Sequence, residues 1–79
     1  MDFNLYNKQI RIRERITPRK AELIRRRLTE DGAKNVLVYL RDGLIMLDTN
    51  LTEMQLTRIL NEYAVTVLDV SETCRTPDV

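Results

Sequence analysis

The chain has no histidine and no tryptophan, one cysteine, one phenylalanine, two glycines and two prolines. Without histidine, the common hydrolytic triads and the usual proton shuttle at neutral pH are missing. One cysteine and no histidine also leave nothing from which to build an N/S metal site within one chain. Cys74 lies in a polar stretch with no partner thiol. That excludes an intrachain disulfide scaffold and points to a reducing compartment, so a cytoplasmic location is expected. The two glycines, Gly32 and Gly43, are too sparse for the G-x-x-x-x-G-K-[ST] or G-x-G-x-x-G phosphate loops. No apolar run approaches the ~20 residues of a membrane helix. The opening residues MDFNLYNKQI lack the basic and apolar blocks of a secretory leader. Asp42, Asp48 and Glu53 come nearest to a carboxylate cluster, but Asp42 and Asp48 fall at opposite ends of one predicted strand. No catalytic residue, cofactor or metal ligand is expected, and the chain reads as a non-enzyme.

What is present describes a small α+β domain. The 79 residues allow one domain, and 43% apolar with 32% charged residues is the balance of a folded chain, not a disordered one. A chain this short buries roughly 60% of its unfolded surface, so self-association or a partner is the expected source of further stability. The net charge of +1 hides a split. Residues 1–41 carry 11 Lys/Arg against 5 Asp/Glu, net +6, and residues 42–79 carry 2 against 7, net −5. Such asymmetry suggests an anionic partner for the basic half, unless the fold interleaves the halves.

Hydrophobic periodicity assigns the elements. Ile10, Ile12 and Ile16 alternate with Arg11, Arg13 and Arg15, which predicts a half-buried strand from Lys8 to Ile16. Phe3 and Leu5 have the opposite parity, which calls for a bulge near Asn7 or a separate Phe3–Tyr6 arm. Thr17-Pro18 starts a helix expected to run to about Asp31 and stop at Gly32, with Ala21, Ile24 and Leu28 inward and Glu22 paired to Arg26. Asn35–Leu40 and Leu44–Asp48 are strands joined by an Arg41-Asp42-Gly43 turn. Asn50 and Glu53 are spaced as a capping box for a second helix, Leu51 to about Tyr63, burying Met54, Leu56, Ile59, Leu60 and Tyr63. Val65–Val70 is the last strand. The domain is thus expected over residues 1–70, with 71–79 a flexible tail.

The order β-α-β-β-α-β with right-handed crossovers gives a ferredoxin-like fold: a four-stranded antiparallel sheet with two helices on one face. The first and third strands should be central. Three surfaces then stand out. Arg11, Arg13 and Arg15 should form a row on the open sheet face, where neighbouring like charges favour a neutralising partner. Arg19, Lys20, Leu23, Arg26 and Arg27 should share a helix face on which an exposed leucine is ringed by cations. The hairpin is apolar on both sides, so either Leu37/Tyr39 or Val36/Val38/Leu40, and either Leu44/Met46 or Ile45/Leu47, must face away from the helices and mark an interface, with Leu37, Tyr39 and Met46 the expected contact residues. A homodimer made by sheet faces or by edge pairing of the second strand is the simplest such interface.

The first functional expectation is a non-enzymatic regulator or inhibitor of a macromolecular partner, the size suggesting a phage or other mobile element acting on host machinery. The alternative is a sequence-tolerant nucleic-acid binder with the arginine row on phosphates. RNA-recognition domains share the topology but stack bases on aromatic residues of the two central strands, and IRIRERI and LIMLD contain none. A small-ligand regulatory dimer, as in amino-acid-sensing domains of this topology, is a third reading that rests on fold analogy.

Overall fold

The computed structural model describes residues 5–73. Six elements follow in the predicted order: β1 Tyr6–Ile12, α1 Pro18–Glu30, β2 Lys34–Tyr39, β3 Leu44–Thr49, α2 Glu53–Glu62 and β4 Val67–Thr73. The four strands form one antiparallel sheet in the order β2-β3-β1-β4. This is the ferredoxin-like arrangement, with β1 and β3 central. One core joins the inward sheet residues Ile10, Ile12, Ile45 and Leu47 to Ala21, Ile24 and Leu28 of α1 and to Leu56, Ile59 and Leu60 of α2. Both helices therefore cover the same face.

The helix ends are built as local chemistry requires. Thr17 accepts from the Lys20 N–H at 3.1 Å, and Pro18 sits at the first helical position, where its missing N–H costs nothing. At α2 the cap is Thr52, two residues beyond the predicted Asn50. Its hydroxyl oxygen accepts from the Gln55 N–H at 3.1 Å, and the Gln55 side chain accepts from the Thr52 N–H at 2.9 Å. Met54, two residues before Leu56, lies about 200° around the helix from it, hence on the solvent side, and is 78% exposed rather than buried as predicted. Both helices close in Schellman motifs. In α1, Gly32 and Ala33 donate to Thr29 and Leu28; in α2, Ala64 and Val65 donate to Asn61 and Leu60.

Two features of β1 depart from its sequence pattern. The strand ends at Ile12, not Ile16. There the chain turns toward α1, and the Arg13 N–H donates to the Thr66 carbonyl at 3.0 Å. Ile16 keeps its buried position from the connection, so the period-two pattern outlasts the strand. At the other end no bulge interrupts β1 near Asn7, because its pairing with β3 is regular from Tyr6 to Arg11. The inward position there belongs to Lys8, which is 6% exposed. Its Nζ donates to the Leu51 carbonyl and lies 3.7 Å from the Glu72 carboxylate, the charged residue opposite it on β4. A buried ammonium is tolerated because it is paired and hydrogen-bonded. The irregularity of β1 falls instead between Arg11 and Ile12, against β4. Phe3 of the expected N-terminal arm, and residues 74–79 of the expected tail with Cys74, lie outside the described residues. Residues 71–73 of that tail belong to β4.

Candidate functional site

The face of the sheet away from the helices is the surface that no element covers among the described residues. Pairing register places its rows. Leu37 of β2 lies beside Met46 of β3, which lies beside Gln9 of β1 and then Ser71 of β4. The next row reads Tyr39, Leu44, Arg11 and Asp69. The face therefore changes character across its width. The β2–β3 half is apolar, with Leu37 51% and Tyr39 41% exposed and Leu44 and Met46 half-buried. The β1–β4 half is polar. Val36, Val38 and Leu40 form the inward set, which resolves the two-sided hairpin.

One edge of this face is stitched by Asp48. Its carboxylate accepts from Asn7 Nδ2 at 3.0 Å and from Asn35 Nδ2 at 2.9 Å, linking β1, β3 and β2. Asn35 adopts the left-handed region at φ 54°, which asparagine tolerates better than most residues, and marks the register shift between Lys34 and Leu37. The apolar half of the face thus lies between a polar clasp at one end and the Arg41–Gly43 turn at the other.

The predicted arginine row is not a row. Only Arg11 stands in the ladder, exposed between Leu44 and Asp69. Arg13 and Arg15 follow the end of β1 and are exposed in the connection to α1. Between them Glu14 turns back, accepting from the Thr66 N–H and hydroxyl at 2.6 Å each. Those two hydrogen bonds, the hydroxyl's first, hold the Glu14 carboxyl below the ordinary value of 4.5.

The predicted helix face divides. Arg19 and Arg26 are exposed and Leu23 is 46% exposed. Arg27 is half-buried between the helices instead. Its Nη1 donates to Glu62 at 2.7 Å and its Nε to Asp31 at 3.2 Å. The Glu62 and Asp31 contacts raise its pKa further above the guanidinium range, so its charge is committed to joining α1 to α2. The expected Glu22–Arg26 pair is replaced by Glu22–Arg25 at 2.6 Å, one residue closer along the helix.

Sequence reasoning weighed Leu44 with Met46 as one of two possible outward sets, but missed Arg41 as a neighbour of Arg15. Arg15, Ile16, Leu40 and Arg41 line one concavity of about 490 Å³. Among the described residues no three Cys, Asp or Glu side chains are grouped to hold a metal ion, and no helix is long and apolar enough to cross a membrane. No family model, curated protein or solved structure matches the chain. The fold class is that of a small ferredoxin-like α+β domain with one sheet face that no element covers among the described residues.

Proposed function

We propose that this chain is a non-enzymatic binding protein that regulates or inhibits a protein partner by docking its open sheet face on it. One observation carries the reading. Leu37, Tyr39, Leu44 and Met46 form a continuous apolar half-face at the β2 edge, with Leu37 and Tyr39 exposed by about half. Antiparallel sheets of this kind normally present polar residues to water. An aromatic and three aliphatic side chains together, bordered by Gln9 and Arg11, have the composition of an interface centre with a polar rim. Rigid strands hold them, and β2 has an unpaired edge to which a partner strand can add.

The test places a photo-crosslinking phenylalanine analogue at Tyr39 and, as control, at Met54, which is exposed on α2 away from this face. Adducts from position 39 and none from position 54 are expected, and Leu37→Asp should abolish them. Sedimentation of the wild type against Leu37→Asp tells whether the occupant is a second copy of the chain. Equal adducts from both positions, or none from position 39, would refute the reading.

A further inference from the structure

The fold sorts the charges in a way that neither half of the sequence reveals. Strand order β2-β3-β1-β4 alternates basic-half with acidic-half segments, so the sheet interleaves them. Interleaving neutralises particular cations. Across the halves Glu72 takes Lys8 and Glu62 takes Arg27; within the basic half Asp31 takes Arg27 and Glu22 takes Arg25 about one helical turn away. Arg11 faces Asp69 across the ladder. Among the described residues Lys20, Arg26, Lys34 and Arg58 make no ion pair, and neither do Arg13, Arg15, Arg19 and Arg41, all four of which are exposed.

The last four stand at one end of the sheet, in or beside the β1–α1 and β2–β3 connections. The Ile12 N–H donates to the Gly43 carbonyl at 2.9 Å, which locks the turn carrying Arg41 against the end of β1. Arg13 and Arg15 lie just beyond that point, and Arg15 shares its concavity with Arg41. Arg19 is in the first turn of α1, which contains no acid. Two carboxylates belong to the same end. Glu14 is occupied by Thr66, and Asp42 sits beside Arg41 in the turn. The balance remains positive.

We infer that this arginine-rich end is a second binding surface, for the phosphate backbone of a nucleic-acid duplex. Three features select that ligand. Arginine forks match phosphate oxygens in pairs, and all four cations are arginine. The Arg15–Arg41 concavity is otherwise lined by buried Ile16 and half-buried Leu40, and not by the exposed Tyr39, Leu23 or Leu68, so it holds no exposed apolar anchor, which a protein partner would require and a phosphate backbone does not. No aromatic side chain is available within it to stack unpaired bases, so a duplex is favoured over a single strand. The interaction reads charge and spacing and no base sequence.

The test is fluorescence anisotropy with short labelled DNA and RNA duplexes of arbitrary sequence. Four phosphate contacts give a salt slope of about −3.6, hence a loss of about 10²-fold in affinity between 50 and 200 mM salt. Arg15→Gln/Arg41→Gln should reduce that slope by about 1.8, while Arg58→Gln on α2 should leave it unchanged. Both sites are exposed and unpaired, so the variants should melt like wild type; circular dichroism checks this. Leu37→Asp should bind duplex normally, which separates this surface from the docking face. No duplex binding at 50 mM salt would overturn the inference. So would a slope indifferent to Arg15 and Arg41, tighter binding of single strands, or equal competition by polyglutamate.

Discussion

Ala64→Gly should stabilise the protein, although it removes a methyl group and adds nothing. Both helices end in the same six-residue motif, and its left-handed position is Gly32 at φ 98° in α1 but Ala64 at φ 61° in α2. The anchoring is equivalent in other respects. The residue after each is buried, Ala33 at 2% and Val65 at 1%, and packs in the core with Leu28 and Leu60. A Cβ in the left-handed region costs about 1–2 kcal/mol. Glycine gives back about 0.4–1 kcal/mol through the greater freedom of the unfolded chain. Ala64 is exposed, so losing its methyl sacrifices no packing. The net gain is about 0.5–1 kcal/mol, or roughly 3–6 °C in melting midpoint for a chain of this size. Gly32→Ala is the mirror experiment. Nothing lies within 4 Å of where its Cβ would stand, so only backbone strain is added. A loss of about 0.5–1 kcal/mol is expected. Urea and thermal unfolding of both variants measure the pair. A midpoint for Ala64→Gly at or below wild type, with Gly32→Ala harmless, would refute the argument from the left-handed cap.

Two further perturbations probe the loops that place the surfaces. Thr52→Ala should cost about 1 kcal/mol by removing the α2 cap, whereas Asn50→Ala should stay within about 0.5 kcal/mol, and urea midpoints distinguish them. Glu14 is held below 4.5 by Thr66 when folded, so its contribution is complete above that value and disappears as pH falls through the lower folded value. Glu14→Gln should therefore flatten the acid side of the stability profile, and an unchanged slope below about pH 5 would mean that the Thr66 contact is not formed in solution.

Local signals were sufficient wherever one residue type has one physical use. Thr17-Pro18 starts α1 as read, because a side-chain acceptor followed by a residue without an N–H suits only a helix start. Gly32 stops it because a left-handed backbone favours glycine. The alternation of Ile10 and Ile12 marks the inward face of β1. Where two residues competed for one role, sequence reasoning chose wrongly. The spacing of Asn50 to Glu53 was taken for the capping box, whereas the same spacing from Thr52 to Gln55 is the one that forms it. Their difference is settled by where β3 ends and how far the chain must travel to lay Leu56 and Leu60 in the core.

The candidate surfaces divide along the same line. An uncovered apolar set on the hairpin was legible, because Val36–Leu40 and Leu44–Leu47 are apolar at both parities and one sheet face has no helix. Which set faces outward was not, since alternation carries no absolute direction until the strands are paired. The arginines show the limit most plainly. Local pattern treated Arg11, Arg13 and Arg15 as equivalent and Arg27 as one of a surface group. Strand termination at Ile12, the return of Glu14 to Thr66 and the approach of Glu62 from α2 separated them. The pairs Lys8–Glu72 and Arg27–Glu62 join residues tens of positions apart, brought within a few ångströms by the crossovers. Sequence order sets element type and the count of charges; only the packed sheet decides which charges cancel and which remain at one end.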